Sequence, residues 1–269
     1  MEFLGYFFSV LIGVSLGLIG SGGSILTVPV LVYLMRMDPL LATTSSLFIV
    51  GATSLVGGLR ALFYKIIDSR AVISFGLPSV ISIFITRHYI LPVLPEKILT
   101  IGNFILSKEM FLMVFFAILM LLSSISMIRN KSGLAEMASK DTKHDHKIVP
   151  LILLGLLVGF VTGLLGAGGG FLIIPSLVIF LGLPMKKAIG TSLLIIAINS
   201  LLGFLFSLNQ FSYNWMIILL FTGLSIIGLF IGNKLSEYIS GKSLKKGFGW
   251  FVLVMGTYII IKEFFFPGV

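Results

Sequence analysis

The chain contains one glycine-rich stretch twice, first as Gly17-Leu-Ile-Gly-Ser-Gly-Gly-Ser-Ile-Leu-Thr-Val-Pro29 and again as Gly163-Leu-Leu-Gly-Ala-Gly-Gly-Gly-Phe-Leu-Ile-Ile-Pro175. The two copies lie 146 residues apart and align without a gap over 45 positions, 17 of them identical, from Gly13–Gly57 to Gly159–Gly203. A polar, glycine-rich interruption that recurs inside two apolar segments predicts an internal structural repeat.

The composition is typical of a protein that lies in a membrane. Of the 269 residues, 57% are hydrophobic and 11% are charged, and the mean hydropathy is +1.14, whereas charge makes up about a quarter of a soluble domain. We therefore predict an all-α polytopic membrane protein. The absence of cysteine excludes disulfides and thiolate chemistry. The first 19 residues contain Glu2 and no basic residue, which favours a retained span over a signal peptide.

Ten hydrophobic segments are predicted to be helices, five in each half. The second and the seventh are too short to cross the hydrocarbon core, which takes about 20 helical residues. Both follow a glycine break, so we predict half-helices whose breaks are buried or line a cavity. The pattern leaves open whether each break forms a re-entrant hairpin or a full crossing. The segments are 3–19, 25–35, 40–59, 71–86, 110–128, 149–165, 171–183, 188–207, 213–232 and 248–263.

The basic residues are divided unequally between the two faces of this arrangement. Of 19 lysines and arginines, 14 lie on one face, so the net charge of +9 reflects loop placement rather than nucleic acid binding. The positive-inside rule makes that face cytoplasmic and places both termini outside. The first face holds loop 60–70, the linker 129–149, Lys186, Lys187 and loop 233–247, and the other face holds Arg36, Arg87, Lys97, Lys108 and Lys262.

This topology gives the two halves opposite orientations. The first transmembrane repeat, 1–128, begins outside, whereas the second, 150–269, begins inside after the cytoplasmic linker 129–149. We therefore predict two inverted repeats of about five helical segments each, with glycine-broken half-helices. Inverted repeats are typical of secondary transporters, which hold the substrate near the midplane between interrupted helices.

The glycine breaks are the predicted binding site, because each precedes a short helix whose first amides lack intrahelical partners and whose dipole is positive there. Such an end suits an anion, although the glycines could instead serve helix packing. Nearby hydroxyls can donate to the anion or to their own helix, and the amide of Asn199 needs a partner in an apolar span. The predicted substrate-binding residues are Gly20, Ser21, Gly22, Gly23, Ser24, Thr44, Ser45, Ser46, Gly166, Gly168, Gly169, Gly170, Thr191, Ser192 and Asn199.

The predicted spans contain no Asp, Glu, Lys, Arg or His except Lys262 and Glu263 at the last helix end. Proton pumps and cation carriers usually keep such residues in the membrane, and a hydrolase needs an acid or base there. The sequence therefore predicts no catalytic residue and no cofactor. His144-Asp145-His146 has no further ligands nearby, so no metal site is predicted, and the glycines lack the strand–turn–helix context of a dinucleotide fingerprint.

These motifs resemble the sulfite exporter TauE/SafE family, also described as the sulfonate uptake permease family. The resemblance covers nearly the whole chain, including the basic linker and Leu91-Pro-Val-Leu-Pro-Glu-Lys97. It implies an inner-membrane transporter of sulfur-containing anions such as sulfite, sulfoacetate or other organosulfonates. The first copy has Ser24 where the second has Gly170, so the two halves need not contribute equally. The residues that carry the resemblance are the two glycine stretches, Pro29, Pro175, Thr44-Ser45-Ser46 and Gly190-Thr191-Ser192.

Residues and resemblance together predict an anion transporter rather than an enzyme. Alternating access around the two breaks would move the anion, and the inside-negative potential, about 2.3 kcal/mol per charge per 100 mV, would drive its export. Two alternatives remain open, a proton- or cation-coupled importer of the same anions and a non-transporting membrane scaffold. The expected partners are a small anion and the lipid bilayer, and the sequence leaves a homodimer open.

Overall fold

The computed structural model describes residues 2–20, 23–101, 104–128, 148–236, 238 and 241–265. Ten helices follow one another in these residues, apart from a single 3-10 turn at Leu208–Gln210, with a short antiparallel hairpin between the fourth and the fifth. The helices are α1 Glu2–Ile19, α2 Ser24–Pro29 with a π-helical continuation Val30–Leu34, α3 Pro39–Phe63, α4 Ser69–Val93, α5 Lys108–Ile128, α6 Ile148–Leu165, α7 Gly170–Leu181, α8 Met185–Leu205, α9 Trp215–Leu235 and α10 Gly241–Phe265, and the strands are β1 Lys97–Ile101 and β2 Phe104–Ser107.

The prediction of an all-α polytopic membrane protein is confirmed. Within the described residues, five helices are long and apolar enough to cross a membrane, namely α3, α4, α5, α8 and α9. The helices after the two glycine breaks are short, as predicted, because α2 with its continuation ends at Leu34 and α7 has 12 residues. The small hairpin β1–β2 is a feature that the hydrophobic pattern did not predict.

The first four helices of each half begin 146 residues apart, the spacing of the repeated stretch. The first helix of each half packs against the fourth helix of the other half, since α1 lies against α9 and α6 lies against α4. The third helices, α3 and α8, pack against each other, and so do the fifth helices, α5 and α10. Exchanging the two halves therefore leaves the set of helix pairs unchanged.

Glycines allow the backbones of α1 and α9 to touch. A Cβ atom on Gly13 would lie 1.9 Å from the Ser225 carbonyl oxygen, and one on Gly228 would lie 2.2 Å from that of Val10. Helices in membranes associate closely through small residues spaced in this way. Packing, the alternative to a binding site, therefore accounts for several glycines in these helices. An added Cβ would also lie within 2.7 Å of a neighbouring atom at Gly17 and Gly232 in this contact, and at Gly155, Gly159 and Gly163 between α6 and α4.

The first glycine break turns the chain back on itself. Gly23 packs against Ile12 and Leu16 of α1, and Met35 packs against Gly5. The order of these contacts makes α2 antiparallel to α1, so the chain returns towards the end of the molecule where α1 begins. The helices α1 and α2 therefore form a hairpin.

The fourth helix extends further than the sequence predicted. The predicted segment ended at residue 86, since Pro92 and Pro95 argue against a continuous helix beyond it, but α4 continues to Val93. A proline cannot donate to the carbonyl four residues earlier, and the backbone accommodates this with π-helical turns at Val72–Gly76, before Pro78, and at Thr86–Ile90, before Pro92. The longer helix carries an arginine that the prediction assigned to an outer loop.

That residue, Arg87, is fully buried inside α4. The predicted absence of Asp, Glu, Lys, Arg and His from the spans before the last helix end was therefore wrong for this helix. The error came from a local rule about proline, which the π-helical turn at Thr86–Ile90 overrides.

Three basic segments meet at one end of the molecule, which we call the basic end and define by Arg60, loop 64–68, Lys186 and Lys187. The Asp68 carboxylate accepts a hydrogen bond from Lys187 Nζ at 3.0 Å. Burial alone would raise the pKa of the Asp68 carboxyl, but the Ala71 amide and the Lys187 ammonium lower that pKa below its usual value. The predicted linker 129–149 lies almost wholly outside the described residues.

Candidate functional site

The glycine breaks have the backbone conformation that only glycine adopts easily. Gly20 has a φ of +86°, and Gly166, Gly168 and Gly169 have φ of +70°, +68° and +65°, as predicted from their residue type. Gly23 differs, with a φ of −65°. The predicted site residues Ser21 and Gly22 lie outside the described residues, Ser24 begins α2 and is buried, and Gly170 begins α7.

The second break is held against the start of α3. A Cβ atom on Gly166 would lie 2.0 Å from the Thr43 carbonyl oxygen. The Ser46 hydroxyl lies 2.6 Å from the carbonyl oxygen of Gly166 and 2.8 Å from that of Thr43. The structure therefore joins a predicted hydroxyl of the first half to a predicted glycine of the second.

The next hydroxyl, Thr44, has a different neighbour. Its Oγ1 accepts a hydrogen bond from Arg87 at 2.7 Å and lies 3.1 Å from the Leu40 carbonyl oxygen. Ser45 is fully buried, and its hydroxyl has no hydrogen-bond partner among the described residues. On the same helix, α3, Thr44 therefore contacts α4, whereas Ser46 contacts the second break.

The predicted polar residues of α8 are mostly used by the fold. Thr191 Oγ1 accepts the backbone N–H of Asp68 at 2.9 Å, and Ser192 donates to the carbonyl of its own helix at Ile189. Asn199 has the partner that an amide in an apolar span requires, because its Nδ2 donates to Ser79 Oγ at 2.6 Å. Its Oδ1 is buried without a partner in the described part of the chain.

Arg87 is the site candidate that the sequence reasoning missed. Its side chain is 0% exposed, and one terminal nitrogen donates to Thr44 and, at 3.4 Å, to Ser207. The Nε and Nη2 atoms have no hydrogen-bond partner among the described residues. No acidic group described by the structure forms an ion pair with it, since the pair found there joins Lys187 to Asp68.

Two buried hydroxyls also lie against the second break. A Cβ atom on Gly168 would lie 3.1 Å from Ser200 Oγ, and one on Gly169 would lie 2.3 Å from Thr162 Oγ1. Neither hydroxyl has a hydrogen-bond partner within the described residues. The glycines of this break are therefore surrounded by polar groups as well as by apolar side chains.

A cavity of about 790 Å³ lies at the basic end. None of the predicted site residues that the structure describes lines it, although Gly17 and Leu18, just before the first break, do. Asn233 lies in its wall, and with its amide oriented to satisfy both neighbours it donates to the Gly17 carbonyl (2.9 Å) and accepts from Arg60 (3.2 Å). The remaining wall is formed by Gly57, Ala61, Tyr64, Ile66, Met185, Lys186, Ile189, Gly190, Leu193 and Ser236.

Comparison with known proteins gives matches over almost the whole chain. The chain is similar to a probable membrane transporter protein of Xylella fastidiosa (strain Temecula1), with 26% identity over 93% of this chain and 91% of the relative. It is 27% identical to one of Methanocaldococcus jannaschii over 94% of each chain. The probable membrane transporter protein YunE of Bacillus subtilis is 28% identical over 91% of this chain and 89% of its own.

No solved structure matches the chain. The family model described as "Sulfite exporter TauE/SafE" matches residues 6–259. The family and these relatives are described as membrane transporters rather than enzymes, in agreement with the prediction from sequence. The chain belongs to the sulfite exporter TauE/SafE family.

Proposed function

We propose that the protein is a secondary transporter that exports small sulfur-containing anions across the bacterial inner membrane by alternating access. The substrate class would be sulfite, sulfoacetate or other organosulfonates. The observation that carries this proposal is the cavity at the basic end, which reaches the glycine-broken hairpin and has Arg60, Lys186 and Asn233 in its wall. Cationic and amide donors attract and orient an oxyanion, and the family description supplies the sulfur chemistry.

The directions of the packed helices support the proposed inverted repeats. Gly51 of α3 lies against Leu201, and Gly58 lies against Leu194, so α3 and its counterpart α8 run antiparallel. Corresponding helices that cross the membrane in opposite directions are expected when the two halves are inverted. Inverted halves that rock around a central site are a common basis of alternating access.

The two ends of the molecule differ in a way that suits this mechanism. The basic end has the cavity, whereas aromatic rings pack together where α3, α8 and α9 meet at the other end. The Phe48 and Phe204 ring centroids are 5.2 Å apart, and those of Phe48 and Trp215 are 5.7 Å apart. One open and one closed end is the arrangement of a transporter in one of its two access states.

Transport by purified protein in liposomes tests the proposal. With the membrane potential clamped by potassium and valinomycin, we expect radiolabelled sulfite to move towards the positive side without an imposed pH gradient. Accumulation that requires a pH or sodium gradient would favour the coupled importer. Absence of movement of sulfite and sulfoacetate, with no thermal stabilisation by either relative to chloride, would favour the scaffold.

The proposed orientation has its own test in the cysteine-free chain. We expect an impermeant thiol reagent to label Ser212→Cys, in the exposed loop before α9, in intact cells. The same reagent should label Ser69→Cys, at the basic end, only after the membrane is opened. Both positions are exposed in the structure. Labelling of Ser69→Cys in intact cells would reverse the orientation.

A further inference from the structure

We infer that Arg87 binds the transported anion, a small oxyanion such as sulfite or a short sulfonate, with Thr44 fixing the orientation of its guanidinium. The inference rests on the proposed function, because it assigns a binding residue to anion transport. It differs from the site predicted from sequence, which relied on backbone amides and hydroxyls without any charged side chain.

The first argument is electrostatic. Arg87 is fully buried in a helix long enough to span a membrane, and no described acidic group forms an ion pair with it. Its recorded hydrogen-bond partners, Thr44 and Ser207, are neutral hydroxyls that leave the charge uncompensated. Burial of a charge is unfavourable unless the charge is neutralised and its donors are satisfied, and ionisable residues inside membrane segments usually belong to functional sites. A bound anion would supply the missing charge.

The second argument is the geometry of the guanidinium. One terminal nitrogen is anchored to Thr44, whereas Nε and the other terminal nitrogen have no partner in the described residues. Nε and that second nitrogen form one edge of the planar group, with two parallel N–H donors. Such an edge matches two oxygens of an oxyanion, and arginine recognises planar or tetrahedral oxyanions in this bidentate manner. The anchored and the unpartnered donors are thus arranged for a sulfur oxyanion.

The third argument is the connection to the moving part of the proposed transporter. Arg87 lies in the π-helical turn Thr86–Ile90, and such turns are frequent at functional sites. Thr86 lies against Gly163, and the carbonyl of Thr43, next to Thr44, lies against Gly166. A shift of the second break would therefore move the groups that position Arg87.

The internal repeat gives Arg87 a counterpart at the basic end. At the repeat spacing of 146 residues, Arg87 corresponds to Asn233, which lines the basic-end cavity and accepts a hydrogen bond from Arg60. Arg87 at one end and Arg60, beside Asn233, at the other thus mark equivalent positions of the two halves. When the closed end opens in the other access state, Arg87 would face a cavity as Arg60 does at the basic end.

Equilibrium binding of radiolabelled sulfite to the purified full-length protein tests the inference, with methanesulfonate and chloride as competitors. We expect Arg87→Gln to weaken sulfite binding about 10- to 100-fold, as for the loss of charged hydrogen bonds. Arg87→Lys keeps the charge but loses the two-donor edge, and we expect about 10-fold weaker binding. Arg70→Gln removes an exposed arginine from the same helix and should bind like the wild type.

Thermal unfolding separates binding from a structural function of Arg87. Without ligand, the melting temperature of Arg87→Gln should equal or exceed that of the wild type, because the variant removes an uncompensated buried charge. The increase of melting temperature that sulfite produces in the wild type should disappear in the variant. If Arg87→Gln does not fold, the weaker sulfite binding of folded Arg87→Lys decides the question.

Two outcomes would overturn the inference and are distinct from a failure of the proposed function. Wild-type sulfite affinity in Arg87→Gln, or in Arg87→Lys if only that variant folds, would show that Arg87 does not bind the anion, although transport of sulfite would stand. A lower melting temperature without ligand, together with unchanged binding, would assign Arg87 to the contacts with Thr44 and Ser207. A wild-type protein that neither binds nor transports sulfite and methanesulfonate would reject both the site and the proposed function.

Discussion

Gly228→Ala is expected to prevent accumulation of folded protein, because the added methyl group has no space between α1 and α9. Its Cβ would lie 2.2 Å from the carbonyl oxygen of Val10 and 2.9 Å from the backbone nitrogen of Val14. Both are backbone atoms of α1, so a side-chain rotation cannot relieve the contact. Excess volume in a packed interior costs about 1–3 kcal/mol when side chains can adjust, and a clash with backbone should exceed that range.

Relief of this clash would require α1 and α9 to separate along their whole contact. Gly13 and Gly232 are equally close to the opposite backbone, and Ser225 donates to the Ser9 carbonyl across the same contact at 3.1 Å. Close approach is the main source of helix association in a membrane, where apolar burial alone provides no preference for protein over lipid. Gel filtration in detergent after expression should show loss of the monodisperse peak.

The matched control for Gly228→Ala is on the same helix. Gly223 is exposed, and no heavy atom from outside its own helix backbone lies within 4 Å of a Cβ built on it. Alanine favours a helix over glycine by about 1 kcal/mol, so Gly223→Ala should leave the peak and the melting temperature unchanged or slightly raise the latter. Similar behaviour of the two variants would contradict the close parallel packing of α1 and α9.

The helices and their breaks could be predicted because both depend on local composition. Apolar length identified ten helices, and the gapless repeat placed the same breaks at Gly20 and Gly166, where the structure has positive φ. Helix ends at prolines were less predictable. Pro92 ends or kinks a helix by the usual rule, and only the π-helical turn before it shows that α4 continues. The burial of Arg87 followed from that turn, which no local rule about proline indicates.

The uses of the predicted hydroxyls could not be predicted because their partners are distant in sequence. Thr191 accepts a hydrogen bond from the amide of Asp68, and Ser46 donates to Gly166, each more than a hundred residues away. Ser192, in contrast, donates within its own helix. A signal for Arg87 did exist in the repeat, since it aligns with Asn233, a second polar residue at the same position. The repeat spacing of 146 residues, continued beyond Gly57, pairs Arg87 with Asn233.

Gly166→Ala is expected to reduce sulfite transport strongly by displacing the second break from α3. The residue has a φ of +70°, a conformation that costs a non-glycine residue about 1–2 kcal/mol. In addition, the new Cβ would lie 2.0 Å from the Thr43 carbonyl oxygen, which is a backbone atom. The break would have to move, and with it the Ser46 contact and the position of Thr44 beside Arg87. Liposome uptake of sulfite should fall at least about 10-fold, as for the loss of a charged hydrogen bond.

Gly182→Ala separates backbone strain from displacement of the break. Gly182 also has a positive φ, +60°, but apart from its chain neighbours and the adjoining helix backbone nothing lies within 4 Å of a Cβ built there. The free energy of unfolding of this variant should therefore fall only by the cost of the positive φ, about 1–2 kcal/mol. It should transport sulfite at nearly the wild-type rate. Gly166→Ala should have the lower melting temperature of the two and little transport. Both variants have the same backbone strain, and only Gly166→Ala adds the clash with Thr43. Equal transport by both variants would therefore mean that the contact between the second break and α3 does not control the site.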